Sequence, residues 1–387
     1  MNTMRSDDRI LTTHAGALPR PDTIRDMQNA RMQGKPYDQS RMDAQLPGAV
    51  ADVVRRQAEC GLDSVDDGEF GKINFTHYLI DRMAGLETRP VREDEEYHAL
   101  NMINRDRRKF PGYFENYRRV GIPGGRPVCV GPLRYVGQEA IARDLTNLKA
   151  ALANVDVAEA FVPTNTPGTA EHWIGNEYYP DDEALVYAIA DALHEEYRAI
   201  ADAGFVLHLD NPDLPDAWNI FPDMDLAQYR RYAAMRVEAL NHALQGIPRE
   251  QTRLHVCWGS FHGPHHDDIP LRDIANLIFQ VPVASYSIES SNPCHEHEWR
   301  VFEEIKLPDG ATLVPGVVGH HSDFIEHPDL VAERLVRYAN LVGRENVIGG
   351  TDCGIGPRVG HPSICWAKLE ALAEGARRAT RQLWGRA

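Results

Sequence analysis

Strand-like runs alternate with helical stretches along this chain, and most of the runs end in chemically reactive side chains. Together these features predict an α/β fold, a (β/α)8 TIM-type barrel. Nine runs read as strands: Ile10–Thr13, Ser64–Asp66, Val128–Val130, Ala160–Val162, Phe205–Asp210, Arg253–Cys257, Ala284–Glu289, Leu313–Val318 and Val347–Gly350. Strands separated by helices indicate a parallel sheet covered by helices. The run ends include Thr13-His14-Ala15-Gly16, Asp66-Asp67-Gly68-Glu69, His208-Leu209-Asp210-Asn211-Pro212, His255-Val256-Cys257, Ser287-Ile288-Glu289 and Asp352-Cys353-Gly354. A (β/α)8 barrel builds its active site at the C-terminal ends of its strands. An open doubly wound sheet would also place ligands there, but it normally declares a Gly-rich phosphate loop, and the sequence has none. Nine runs exceed the eight a barrel needs, so one is an extra strand or not a strand. The length of 387 residues suits one elaborated barrel. The expected organisation is a single domain over 1–387.

Between the strands, Asp181–Ala203 is rich in Ala, Leu and Glu and stops near Gly204, a C-terminal cap. Leu226–Leu244 and Pro328–Leu341 have the same character. Thr88–Pro127 differs. It is crowded with charged and aromatic residues, such as Arg92-Glu93-Asp94-Glu95-Glu96-Tyr97 and Arg105-Asp106-Arg107-Arg108-Lys109-Phe110, and it ends in Gly121-Ile122-Pro123-Gly124-Gly125. It reads as an insertion (88–127) after the second strand. Its roles are a solvated excursion or subunit contact on one side, or a lid on the other.

Apolar residues make up 43% of the chain and the formal net charge is −16. That balance argues against nucleic acid or an anionic membrane as the main partner, because phosphate binding needs clustered Lys and Arg. No stretch approaches the length of a membrane span, and the first residues lack an apolar signal core. The expectation is a soluble, cytoplasmic protein acting on small molecules, with self-association left open. The six cysteines, Cys60, Cys129, Cys257, Cys294, Cys353 and Cys365, form no CxxC pair. Reduced thiols are expected, some of them available as ligands.

Three pieces far apart in sequence read as one metal site: Arg253-Leu254-His255-Val256-Cys257, Tyr286-Ser287-Ile288-Glu289 and Gly350-Thr351-Asp352-Cys353. His255 and Cys257 are two apart, so on a strand both point to the same side. Two thiolates, an imidazole and a carboxylate suit Zn²⁺. Taken singly, each has an ordinary explanation: a hydrogen-bonded core histidine, a small buried hydrophobe, a glutamate capping the next helix. Two competing clusters, His262/His265/His266 with Asp267 and Asp268, and Cys294-His295-Glu296-His297, lie in loops just after ligand-bearing strands. Pocket lining or solvent exposure accounts for them.

At these residues the chain resembles the cobalamin-independent methionine synthase family, in its C-terminal catalytic barrel. The likeness runs from Thr12-Thr13-His14-Ala15-Gly16-Ala17-Leu18-Pro19 to Gly350-Thr351-Asp352-Cys353-Gly354. The resemblance implies one zinc, held by a His-x-Cys pair, a Ser-Ile-Glu glutamate and an Asp-Cys-Gly cysteine, here His255, Cys257, Glu289 and Cys353. It implies substrate contacts from Glu69, in Asp67-Gly68-Glu69, and from Asp210, although the family's Asp-Glu-Pro reads Asp210-Asn211-Pro212 here. It places a folate-packing tryptophan at Trp173 and a proton-donating histidine at His321, in Gly316-Val317-Val318-Gly319-His320-His321-Ser322. His14 could line the pocket from the first strand. One departure stands out. The family's Ile-Gly-Ser loop, which grips the homocysteine carboxylate, reads Ala15-Gly16-Ala17. His255-Val256-Cys257-Trp258-Gly259-Ser260 and Gly263-Pro264-His265 look like a shorter branch that includes epoxyalkane:coenzyme M transferase.

The implied activity is zinc-dependent transfer of a methyl or alkyl group from a donor, such as a folate, to a small thiol. Its close alternative is an epoxide or other-electrophile thiol transferase. The more distant alternatives are a metal-free lyase resembling uroporphyrinogen decarboxylase and a non-catalytic zinc-binding protein.

Overall fold

A computed structural model of the chain describes residues 4–75, 77–90, 103–115 and 125–385. Its strands are β1 (Leu11–Thr12), β2 (Ser64–Val65), β3 (Met83–Arg89), β4 (Arg126–Tyr135), β5 (Glu159–Asn165), β6 (Gly175–Asn176), β7 (Val206–Asp210), β8 (Thr252–Val256), β9 (Ser285–Ile288), β10 (Thr312–Val318) and β11 (Ile348–Thr351). Eight of them form one parallel sheet in the order β1-β11-β10-β9-β8-β7-β5-β2. The sheet rolls into a nearly closed barrel, as the alternation of strands and helices predicts. Asp63 bridges the seam between β1 and β2. Its N–H donates to the Thr12 carbonyl (3.0 Å), and its carboxylate accepts from the Thr12 N–H (2.8 Å). Arg9 holds that carboxylate from outside with two hydrogen bonds of 2.5 and 2.9 Å.

The surplus ninth run is Val128–Val130. It lies within β4, which pairs antiparallel with β3 and parallel with β6 in a separate three-stranded sheet. An apolar β-prone run satisfies its backbone equally well in either sheet. The antiparallel partner β3, a run not anticipated from the sequence, decides the matter. The 88–127 insertion therefore connects two strands of this separate sheet. The 88–127 segment begins in β3 and ends in β4, and residues 91–102 and 116–124 of it lie outside the described residues. Its described middle forms two short helices, Asn104–Lys109 and Pro111–Phe114. They dock on the loops that follow β7 and β8. Arg105 stacks 3.5 Å over the Trp218 ring and donates to the carbonyls of Trp218, Phe221 and Met224. The Asp106 carboxylate accepts the His266 N–H.

The main helices start and stop where local chemistry dictates. Asp181 caps Asp182–Asp202 by accepting the Ala184 N–H at 2.8 Å, and the chain turns away at Gly204, with φ +86°. Leu185, Ile189, Leu193, Tyr197 and Ile200 recur along one face of this helix and are fully buried. Leu226–Ala243 opens with a reciprocal capping box between Asp225 and Gln228. Pro328–Val342 starts on its proline and ends at Gly343.

The barrel interior is unusually polar. Arg253 on β8, fully buried, donates to Glu159 on β5 and to Thr13 Oγ1 beyond β1. Above it, aromatic and imidazole rings pass across the barrel at centroid separations of 5.1 Å (His14–Phe161), 5.2 Å (Phe161–His208) and 5.5 Å (His208–His255).

The β10–β11 pairing shifts register between Gly316 and Val318, and Asp352 lies against Gly316 so closely that a Cβ there would stand 2.6 Å from its Cα. Gly316→Ala should destabilise the fold by about 1–3 kcal/mol through overpacking. Urea unfolding of the two proteins, with unchanged slope and a lowered midpoint, would show it.

Candidate metal centre

Period-two alternation along β8 sends Arg253, His255 and Cys257 into the barrel, with Cys257 at its C-terminal rim. Cys353 follows β11 on the opposite side of the sheet order. Closure brings His255, Cys257 and Cys353 together, with one ligand atom from each lying within 4.8 Å of the others. His255 Nδ1 bonds to Ser287 Oγ on the neighbouring strand at 3.0 Å. Its Nε2 is left without an oxygen or nitrogen partner and lies 4.0 Å from Asp210 Oδ1. The hydrogen bond from Cys257 holds the Cys353 thiol far below its ordinary range, and the same bond, with burial, pushes Cys257 far above it. Two sulfurs and an imidazole nitrogen with no oxygen or nitrogen partner are donors that fit a thiophilic divalent cation.

Glu289, the fourth residue read as a ligand, falls in an adjoining group with His320 and His321, again with ligand atoms within 4.8 Å of one another. Its carboxylate accepts from the Trp258 N–H and from Asn292 Nδ2, each at 2.9 Å, and stands 3.5 Å from His321 Nε2. Burial acts to raise its pKa, but the His321 hydrogen bond and the neighbouring imidazoles outweigh burial and hold it well below the usual carboxylate range. The two groups are joined by Ser260, whose hydroxyl lies 3.5 Å from Cys353 Sγ and 3.1 Å from His320 Nε2. His320 and Ser260 are site residues that sequence reading missed. The only signal for His320 was its place in a His-His pair.

Asp352 fastens the two ligand-bearing loops. Its carboxylate accepts the Ser290 and Ser291 N–H groups at 2.8 and 2.9 Å and the Ser291 hydroxyl at 2.5 Å. Asp210, at the end of β7, is partly buried with its Oδ1 enclosed and unpartnered, and desolvation pushes its pKa up to about 8. Glu69, in left-handed backbone at φ +60°, accepts the Ala17 N–H at 2.9 Å and stands 3.7 Å from Lys72 Nζ. Gly16, at φ +105°, leaves room for it, since a Cβ there would come within 2.8 Å of Glu69 Oε1.

His14 has both ring nitrogens occupied, by Gln57 Oε1 at 2.8 Å and by the backbone of Gly16. Burial lowers its pKa to about 4. It shapes the 15–17 turn. Trp173 stands with Leu79, Ile80, Leu86 and Pro127 beside the small sheet, outside both groups of candidate ligands.

Of the competing clusters, His262, His266 and His297 are exposed, while His265, Asp268 and His295 form an enclosed ion network with Glu298. His265 Nδ1 and His295 Nε2 donate to Asp268 Oδ2 (2.8 and 3.1 Å), and His295 Nδ1 donates to Glu298 (2.9 Å). His295 stacks on Trp258 at 4.0 Å between centroids. It thereby supports the residue whose N–H holds Glu289. Two loops meet to form this network, so sequence reading saw the pieces without their pairing.

Comparison with known proteins identifies the family and the fold. The model of the cobalamin-independent synthase catalytic domain matches residues 167–376. That is more than half of the chain, which belongs to this family of methionine synthase-like methyltransferases. The methionine synthase of Thermococcus kodakarensis is 23% identical over 374 residues, covering 96% of this chain and 94% of the relative. That of Pyrococcus abyssi is 23% identical over 376 residues, covering 96% and 93%. The fold is shared with a B12-independent methionine synthase from Shewanella sp. W3-18-1, solved in complex with selenomethionine. The TM-score is 0.74 at 19% identity, over 98% of this chain and 100% of that one.

Burial opposes charge on His295, but the hydrogen bonds to Asp268 and Glu298 outweigh it and raise its pKa from 6.5 to about 10. A raised pKa stabilises the fold fully below the unfolded value and loses that contribution as pH climbs through the folded one. His295→Gln should therefore destabilise the protein at pH 6, and the deficit should shrink between pH 6.5 and 10. Denaturant midpoints of both proteins across that range would show the convergence.

Proposed function

We propose that this protein transfers a methyl or alkyl group to the sulfur of a small thiol, at a Zn²⁺ held by His255, Cys257, Cys353 and Glu289. The observation that carries the reading is the convergence of His255, Cys257 and the partly exposed Cys353 in one group at the C-terminal rim of the barrel. A zinc ion bound there supplies a substrate sulfur that is ionised at neutral pH, where a free thiol with a pKa near 8.5 is mostly protonated.

The chain's own residues do the rest. The Asp210 carboxyl, with its enclosed Oδ1 unpartnered, faces the ligand set and orients an amine or hydroxyl on the substrate, with Glu69 as second contact. The sulfur attacks the alkyl carbon, an S–C bond forms, and the bond from that carbon to nitrogen or oxygen breaks. His321, partly exposed and beside Glu289, gives the leaving atom its proton. A positioned general acid contributes about 10²–10⁴-fold. Trp173 is retained as a donor contact, reached from the side of the small sheet. The helices 104–114 of the 88–127 insertion cover the loops after β7 and β8 and act as a lid. Ala17 has no hydroxyl, and its N–H is engaged by Glu69, which favours a thiol other than homocysteine.

Cys353→Ala should lose bound zinc and thiol alkylation while keeping the cooperative unfolding transition of the parent. Elemental analysis, a thiol-consumption assay and circular dichroism would check this together, and global unfolding of the variant would make the metal structural. His321→Ala should retain zinc and lose about 10²–10⁴-fold in rate. Offering methyltetrahydrofolate and a short epoxide separately, with homocysteine or coenzyme M, identifies the electrophile by which pair consumes thiol.

A further inference from the structure

The turn after β1, Ala15-Gly16-Ala17, has no donor left for an anion. The Ala15 N–H donates to Thr351 Oγ1 (3.1 Å), the Gly16 N–H to His14 Nδ1 (3.2 Å) and the Ala17 N–H to Glu69 Oε1 (2.9 Å). The three side chains add no hydroxyl. An anionic head group brought here would lose water and gain no hydrogen bond, which is costly. The loop after β11 lies directly on this turn. The Gly356 N–H donates to the Ala17 carbonyl at 2.9 Å, and a Cβ on Gly354 would stand 2.9 Å from Ala17 Cβ. The far end of the loop is pinned where the Gly360 N–H donates to Asp323 Oδ1 at 2.7 Å, next to buried Val359. Between these two points the loop carries Arg358, which is exposed and, among the described residues, has no ion pair or side-chain hydrogen bond. Other cations of this rim are engaged: Arg20 by the Glu69 and Ile73 carbonyls, Lys72 by the Pro163 carbonyl, and Lys368 by Glu326. Burial is the largest influence on the His320 pKa, and the Arg358 charge works in the same direction, so the guanidinium is within electrostatic reach of the imidazole beside the site.

We propose that Arg358 anchors an anionic head group on the substrate thiol, which makes that thiol a short mercapto acid. The inference rests on the thiol chemistry of the proposed function and names its substrate class. A guanidinium presents a planar fork that matches a carboxylate or sulfonate with two parallel hydrogen bonds. Its loop is already fixed at both ends, so little backbone freedom is lost when the anion docks. The anion anchor thus moves from the turn after β1 to the loop after β11, two residues beyond the Gly356 contact with Ala17. Glu69 and Asp210 keep their role toward an amine or hydroxyl.

The test is calorimetric titration of the full-length, zinc-loaded protein with 3-mercaptopropionate and with its neutral analogue 3-mercaptopropanol, with no alkyl donor present. Wild type should bind the acid about 10–100-fold more tightly, the range expected of a hydrogen-bonded charge pair. Arg358→Gln should bind both thiols with the affinity that wild type shows for the alcohol. Arg358→Lys should recover part of the preference, because it restores the charge without the fork. Zinc content and urea midpoint should be the same in all three proteins, since residue 358 is exposed. Equal affinity of wild type for the two thiols, or an undiminished preference in Arg358→Gln, would overturn the assignment of Arg358 while leaving thiol binding in place. Binding of neither thiol by zinc-loaded wild type would overturn the thiol reading of the proposed function, and this proposal with it.

Discussion

The site depends on one buried carboxylate. Asp352 sits beside Cys353 at the end of β11, and its oxygens take three hydrogen bonds from Ser290 and Ser291, the two residues after Glu289. That tie locks the loop after β9 to the loop after β11. It also fixes where a carboxylate from one strand and a sulfur from the other stand in relation to β8. The arrangement needs space, and Gly316 supplies it at the register shift between β10 and β11. A side chain at Gly316 would push on the Asp352 backbone itself, one residue from a candidate ligand.

Around this tie the barrel concentrates charge in places where charge is costly. Arg253 and Glu159 pair in its interior, and Asp268 lies between two imidazoles behind the centre. Buried pairs of this kind are weak contributors to net stability, because desolvation offsets their attraction. Their value here is positional. Arg253 shares its strand face with His255 and Cys257, so anchoring its head group helps fix the register of both. The Asp268 network supports Trp258, whose N–H grips Glu289. Three layers of polar contact thus orient donors that would otherwise be free to rotate.

The alternation of strands and helices was legible because period-two and helical patterns are local. Eight of the nine strand readings became barrel strands, and Asp181, Asp225 and Pro328 mark helix starts through chemistry confined to one turn. The His255/Cys257 pairing was legible for the same reason. That Val128–Val130 was the surplus run was not legible, because its partner β3 is short of apolar signal and half exposed, and pairing is a property of two segments. His320 went unread because its hydrogen-bond partner, Ser260, lies in a loop sixty residues earlier in the chain.

The sequence by itself determined which residue types stand at the strand ends, that His255 and Cys257 share a face, and which family the chain resembles. These follow from local periodicity and residue order. Only the tertiary structure decided that Cys353 lies against that pair while the Glu289 carboxylate turns toward His320 and His321, and that His14 is consumed by Gln57 and Gly16. Those outcomes depend on barrel closure and on competition among buried hydrogen-bonding groups, which no single stretch of chain encodes.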